Sequence, residues 1–185
     1  MLLVPTSPRW TALAVERFDE VLVDHAHCEK KAVAHALSML AAFPREPGLP
    51  RAMARLAREE AGHLGQVLSL MDKRGLSLDR DAGDPYAQGL QAQVRQPHAE
   101  RLLDRLIVSA LIEARSEERL RLLSMHLPDE ELRGFYRRLA DSEAGHCSLF
   151  LRLARKQPGC EERLAELLDV EAHLIRELPI RAAIH

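Results

Sequence analysis

One tetrapeptide occurs twice in this sequence and carries two residue types that bind metal ions. Glu-Ala-Gly-His runs from Glu60 to His63 and again from Glu143 to His146. In an α-helix, positions i and i+3 lie on one face, so each copy presents a carboxylate and an imidazole toward the same point. Each copy also falls on the apolar stripe of its helix. Because an isolated carboxylate is costly to bury, each of these glutamates requires a partner.

A further glutamate precedes each copy at nearly the same distance. Glu29 lies 31 residues before Glu60, and Glu113 lies 30 residues before Glu143. Both fall on the apolar stripes of other predicted helices. The pattern indicates two copies of one half-site, each with two carboxylates and one imidazole.

This donor set is the one that carboxylate-bridged two-metal proteins use, with one Glu from each of two helices and a Glu-x-x-His from each of the other two. Four negative charges balance two divalent cations. Glu60 and Glu143 are expected to bridge the two ions. The same oxygen and nitrogen donors suit iron and manganese, so the donors alone do not choose between them. The predicted metal ligands are Glu29, Glu60, His63, Glu113, Glu143 and His146.

Three neighbours of these residues each allow two interpretations. Glu117 lies one helical turn beyond Glu113. It is either an extra ligand or a hydrogen-bond acceptor next to the ligands, or it forms an i, i+4 ion pair with Arg121. His25 hydrogen-bonds a ligand or lies on the surface. Arg115 supports the site or contacts the substrate.

Prolines and glycines separate long segments in which apolar residues recur every three or four positions. This pattern predicts four long helices and a shorter C-terminal fifth, over residues 9–42, 50–74, 97–127, 128–157 and 161–177. Short connections make the first two helices, and the next two, antiparallel neighbours. The connection over residues 75–96 is long enough to run the length of a bundle. The predicted fold is therefore all-α, a ferritin-like four-helix bundle with a long crossover between helices 2 and 3, in a single domain over residues 1–185.

Composition limits the partners and the compartment. The chain of 185 residues has a formal charge of −2, so it has no overall attraction to nucleic acid. Its three cysteines form no Cys-x-x-Cys pair, and neither a signal peptide nor a membrane-spanning segment is apparent, which predicts a cytoplasmic protein. Any nucleic-acid contact therefore requires a local basic patch. Six arginines in the predicted helices 2 and 4 are candidates for such a patch, and the alternative is that they only solvate the faces of their helices. The candidate arginines are Arg51, Arg55, Arg58, Arg133, Arg137 and Arg138.

The short sequence segments around the predicted ligands resemble those of a known family. These are Asp-His-Ala-His-Cys-Glu-Lys-Lys-Ala at residues 24–32, Ile-Glu-Ala-Arg-Ser at residues 112–116, and the two Glu-Ala-Gly-His copies. Together they resemble the bacterial tRNA 2-methylthio-N6-isopentenyladenosine hydroxylases across nearly the whole chain. The resemblance implies a di-iron monooxygenase that uses dioxygen to hydroxylate the isopentenyl side chain of a modified adenosine next to the tRNA anticodon. It also maps the family's six ligands onto the six residues named above. Because the sequence has no flavin or nicotinamide motif, a separate reductase or ferredoxin must supply electrons.

Two other functions are compatible with the same residues. A ferritin-like or rubrerythrin-like oxidase or peroxidase would act on iron or peroxide without a nucleic-acid substrate. A non-enzymatic helical module would use the Glu and His residues as a buried hydrogen-bonded network and would bind no metal. The sequence leaves the oligomeric state open.

Overall fold

The described part of the chain folds into seven helices. The computed structural model describes residues 1–98 and 100–185 together with the backbone of Ala99. Its helices are α1 (Pro8–Glu16), α2 (Phe18–Ala42), α3 (Leu49–Lys73), α4 (Pro85–Gln91), α5 (His98–His126), α6 (Glu130–Ala154) and α7 (Cys160–Glu177). No β-strand occurs in the described residues, which confirms the all-α prediction. None of the described helices is both long and apolar enough to cross a membrane.

The helices form two compact units. The α2/α3 unit comprises residues 17–82 and 182–184. The α5/α6 unit comprises residues 1–16, 83–181 and 185, and within it α1, α4 and α7 pack on the pair formed by α5 and α6. Each unit therefore centres on one hairpin of long helices.

The α2/α3 unit is a helical hairpin closed by a short turn. Val21, Leu22 and Met39 of α2 are fully buried, as are Met53 and Val67 of α3. These residues recur at helical spacing, so each helix buries one continuous stripe. Gly48 at the start of α3 has a φ of 79°, a left-handed conformation that glycine adopts without steric cost.

The α5/α6 unit buries α5 along most of its length, because α1, α6 and α7 all pack against it. Asp129 caps the start of α6 by accepting the amide of Leu132 at 2.9 Å. On α6, Tyr136 and Phe150 are fully buried. The long helices α3, α5 and α6 thus begin and end within a few residues of where the sequence placed them.

The prediction of one continuous first helix was wrong. The helix breaks at Arg17, whose φ of −110° and ψ of 42° lie outside the helical region. Its carbonyl accepts the amides of Glu20 and Val21, so a new helix starts there. The break lets α1 bury Trp10 and Ala14 in the α5/α6 unit, whereas α2 packs on α3.

The crossover between α3 and α5 carries an element that was not predicted. Asp84 caps the short helix α4 by accepting the amide of Ala87 at 2.9 Å. Tyr86 and Leu90 of this helix are buried, and α4 packs on α5 and α7. Part of the crossover is therefore anchored in the α5/α6 unit.

A buried arginine joins three segments of the α5/α6 unit. Arg115 of α5 is 0% exposed, and its Nη2 lies 2.6 Å from the Oε1 of Glu171, which is equally buried. It also donates to Glu118, to the hydroxyl of Thr6 at 3.0 Å and to the carbonyl of Val4 at 2.9 Å. These bonds tie the N-terminal segment and α7 to α5.

Replacing Arg115 by Leu should lower the free energy of unfolding by about 3–5 kcal/mol, because it leaves the carboxylate of Glu171 buried without its cation. Urea denaturation followed by circular dichroism measures the change. The control is Arg121→Leu on the same helix, which breaks a half-exposed pair with Glu117 and should cost about 0–1 kcal/mol. Equal losses in the two variants would contradict a special role for the Arg115 network.

Candidate metal centre

The α2/α3 unit brings three of the predicted ligands together. Glu29 comes from α2, and Glu60 and His63 come from α3. Their ligand atoms lie within 4.8 Å of one another. The Nδ1 of His63 is 3.0 Å from the Oε2 of Glu60 and 3.7 Å from the Oε2 of Glu29. Both glutamates are buried, so this half-site holds two desolvated carboxylates.

A second histidine supports Glu29 from the same helix. The Nε2 of His25 lies 2.8 Å from the Oε1 of Glu29, one helical turn away, and both side chains are buried. A hydrogen bond from a neighbouring side chain fixes the orientation of a carboxylate and leaves its other oxygen for a metal ion. Of the two interpretations of His25, the structure therefore favours the partner of a ligand.

Charges in this half-site shift the pKa values in opposite directions. Burial alone would raise the pKa of Glu29, but hydrogen bonds from His25 and His63 outweigh it and lower that pKa to about 2. Burial alone would lower the pKa of His63, but its bonds to Glu29 and Glu60 outweigh burial and raise that pKa to about 10. An imidazolium at His63 thus offsets part of the negative charge of the two carboxylates. A bound cation would take over this role and displace the proton.

The α5/α6 unit repeats the arrangement with a different pair of helices. Glu113 comes from α5, and Glu143 and His146 come from α6. Their ligand atoms also lie within 4.8 Å of one another, and all three residues are buried. The Nδ1 of His146 is 3.2 Å from the Oε2 of Glu143. Each unit therefore presents one Glu from its first long helix and one Glu-x-x-His from its second.

The donor chemistry of each half-site fits a first-row transition metal. Carboxylate oxygen and imidazole nitrogen suit iron and manganese, and burial excludes bulk water from the coordinating atoms. Two carboxylates and one imidazole leave room in the coordination sphere for further ligands. The residues present therefore fit the metal ions that the sequence predicts.

Two neighbours of the predicted ligands have other partners in the structure. The Oε1 of Glu117 accepts a bond from the Nε of Arg121 at 2.7 Å, which is the ion pair that the sequence allowed. Arg115 bonds to Glu171 and Glu118, as described above. These contacts favour a structural role for both residues.

Five of the six candidate tRNA-binding arginines lie on exposed helix surfaces. They are Arg51, Arg55 and Arg58 of α3 and Arg137 and Arg138 of α6. Arg133 is partly buried and donates to the carbonyls of Leu127 and Pro128 at 2.8 and 3.0 Å. Its guanidinium therefore closes the turn between α5 and α6.

Sequence reasoning did not single out Glu171, although the sequence carried a signal. This residue falls on the apolar stripe of α7, seven residues after Leu164 and four after Leu167, which are both buried. A glutamate at such a position requires a buried cation. Its partner, Arg115, lies 56 residues away, and spacing alone could not identify it.

Comparison with known proteins gives the family. The whole chain, residues 1–185, matches the family model described as tRNA-(MS[2]IO[6]A)-hydroxylase (MiaE). Over 166 residues it is 42% identical to a tRNA 2-(methylsulfanyl)-N(6)-isopentenyladenosine(37) hydroxylase of Pseudomonas putida, covering 90% of this chain and 80% of that protein. The chain belongs to this hydroxylase family. The resemblance seen in the sequence is thereby confirmed.

Two further relatives extend the comparison. A hydroxylase of the same name from Salmonella typhimurium is 39% identical to this family member over 126 residues, covering 66% of this chain and 46% of the relative. A solved structure from Synechococcus, titled as protein 43 with aldehyde deformylating oxygenase activity, is 40% identical and superposes with a TM-score of 0.94. That match covers 100% of this chain and 94% of the other. The all-α, ferritin-like fold class is confirmed.

The stability of the metal-free hydroxylase should fall as pH rises from about 6.5 to about 10. The folded state holds a proton on His63 throughout this range, whereas the unfolded state loses it near pH 6.5, so rising pH favours unfolding. Urea denaturation of chelator-treated protein at several pH values measures the slope. His63→Gln should flatten it, and His126→Gln, on the exposed end of α5, should not. An equal slope in wild type and His63→Gln would contradict the charge arrangement.

Proposed function

We propose that this protein hydroxylates the isopentenyl side chain of 2-methylthio-N6-isopentenyladenosine in tRNA, next to the anticodon, as an oxygen-dependent di-iron monooxygenase. One observation carries the proposal: each unit holds two buried glutamates beside one histidine, in a chain that belongs to the tRNA hydroxylase family. A tRNA substrate agrees with the cytoplasmic location that the sequence predicts.

The proposed ligands of the two iron ions are the three donors of each unit. Glu60 and Glu143 are the proposed bridging carboxylates, and Glu29 and Glu113 are the proposed terminal ones. His63 and His146 would each bind one ion. This assignment makes residues 1–185 one functional domain. When bound, the pair of iron ions supplies the activation of dioxygen that attack on an unactivated C–H bond requires.

Neighbouring side chains would orient these ligands. The Nε2 of His25 lies 2.8 Å from the Oε1 of Glu29. This bond fixes the orientation of the carboxylate and leaves its Oε2 for a metal ion. In the α5/α6 unit, the hydroxyl of Ser142 lies 3.5 Å from the Nε2 of His146 and can orient that ring. Such contacts set the tautomer and the direction of a ligand histidine.

Electrons must come from another protein. Hydroxylation places one oxygen atom of dioxygen in the product and reduces the other to water, which consumes two electrons and two protons. Cys28, Cys147 and Cys160 are not joined in disulfides in the described residues, lie at separate points of the chain and do not form a cluster motif. We therefore propose an external reductase or ferredoxin as the donor.

The exposed arginines of α3 and α6 remain the proposed contacts to tRNA. Arg51, Arg55 and Arg58 lie within two turns of one helix, and Arg137 and Arg138 are adjacent on another. Guanidinium groups at such spacing suit the phosphates of a nucleic-acid backbone. Arg133 has a weaker claim because its guanidinium already serves backbone carbonyls.

Substituting a bridging glutamate should remove both metal and activity. We expect Glu60→Ala and Glu143→Ala to lose bound iron and hydroxylation while their helical content is retained, because the apolar stripes stay intact. Elemental analysis gives metal per chain, circular dichroism gives helicity, and mass spectrometry of digested tRNA gives the product. Glu59→Ala is the matched control, since Glu59 is exposed and pairs with Arg55 at 3.7 Å. Two metal ions per chain in either variant would contradict the bridging assignment.

The wild-type protein tests the function itself. Iron-loaded protein with dioxygen, a reductant and tRNA carrying the isopentenyl modification should yield the hydroxylated nucleoside. Two iron ions per chain with no nucleoside product would instead favour an oxidase or peroxidase that uses the same ligands.

A further inference from the structure

The α5/α6 unit contains a cavity of about 340 Å³ that none of the proposed iron ligands lines. Its walls come from the N-terminal segment, the start of α1, the start of α4, the second half of α5, the end of α7 and the segment that follows α7. This volume is at the lower end of the range for small-molecule pockets, roughly 300–1,000 Å³. The cavity is therefore large enough for one nucleotide-sized group.

The charged side chains that line this cavity are basic. They are Arg9, Arg119, Arg176 and Arg181, with His185 beside them. Among the described residues of its lining, none is acidic. In a chain with a formal charge of −2, four arginines around one cavity form a local concentration of positive charge. Such a cavity attracts anions.

Arg119 is the innermost of these charges. It is 9% exposed, and its guanidinium lies 4.8 Å from the centre of the Trp10 ring, which holds it in place. Burial and the nearby charge of Arg115 lower the pKa of Arg119 to about 10. The surroundings thus disfavour this positive charge, and an anion bound next to it would stabilise it.

The other arginines extend the positive charge toward solvent. Arg9 and Arg176 are exposed, and Arg181 is half-buried and donates to the carbonyl of Gly83 at 3.3 Å. The remaining wall is largely apolar, with Val4, Ile175 and others, while His185 stacks on Tyr86 at 5.4 Å. One side of the cavity therefore suits an anionic group, and the rest suits an apolar or aromatic body.

We propose that this cavity binds a backbone phosphate of the tRNA substrate, with the attached nucleoside against the apolar wall. The inference rests on the proposed function, which makes tRNA the polyanion that this protein must hold. Arginine binds phosphate through paired hydrogen bonds, and a cavity with several arginines fixes the position of the phosphate as well as attracting it. The cavity would add a contact to those proposed on α3 and α6.

The test compares two double variants in tRNA binding. Arg9→Gln with Arg176→Gln removes two exposed cavity charges and should leave folding intact. The matched control, Arg45→Gln with Arg152→Gln, removes two exposed charges outside the cavity lining. Fluorescence anisotropy with labelled tRNA at several salt concentrations gives the affinity and its salt dependence. The cavity variant should bind about tenfold more weakly, and the slope of log K against log salt should fall by roughly 0.7–0.9 per lost phosphate contact.

Each outcome decides between the proposal and its alternatives. The proposal would be overturned if the cavity variant bound tRNA with the affinity and the salt slope of the wild type. It would also be overturned if the control variant lost as much tRNA affinity as the cavity variant. Competition by inorganic phosphate and by adenosine monophosphate forms the second arm. Arginine-dependent binding of these small anions, together with unchanged tRNA affinity, would identify a small-anion site and overturn the assignment to tRNA. Hydroxylation by the wild type is scored separately, so tRNA binding that depends on the cavity without turnover would count against the proposed function alone.

Discussion

Every carboxylate buried in this helical protein needs a positive charge close by, and meeting that need shapes both units. Asp104 of α5 is fully buried and lies 2.7 Å from Arg95 and 2.9 Å from Arg163. Glu171 has Arg115 in the same way. At the two half-sites histidines lie beside the carboxylates, 3.0 Å from Glu60 and 3.2 Å from Glu143, and a metal ion would displace any proton that they carry. A permanent guanidinium stabilises the fold, whereas an exchangeable proton leaves a place for a cofactor.

Much of the fold and of the candidate centre followed from the sequence because both depend on local spacing. A Glu and a His three positions apart must share a helix face, and the repeat of this pair was visible without any structure. The break at Arg17 was not visible in the sequence, because apolar residues continue at helical spacing on both sides of it. The pairing of Arg115 with Glu171 and the arginine-lined cavity were equally hidden. Both depend on side chains that come together from segments far apart in the chain.

The Synechococcus protein shares this fold although its title names a different activity. That protein is titled for aldehyde deformylating oxygenase activity and superposes on this chain with a TM-score of 0.94. One backbone can thus support different chemistry, and function must be argued from individual side chains. In this chain, the arginines of α3, of α6 and of the cavity are side chains with no role in the proposed centre. Differences in substrate between such relatives are expected at positions of this kind.

The position of α1 has a consequence for the order in which the chain can fold during synthesis. The N-terminal segment docks on residues that follow more than a hundred positions later, as in the bonds from Thr6 to Glu118 and from Arg115 to Val4. The hairpin of α2 and α3, by contrast, is built from neighbours in sequence and can close as soon as it leaves the ribosome. Trp10 and the rest of α1 must then wait, exposed to solvent, until α5 has been translated. The residues of α1 are therefore made well before they can reach their native places, and a chaperone that shields apolar segments would find a target in this helix.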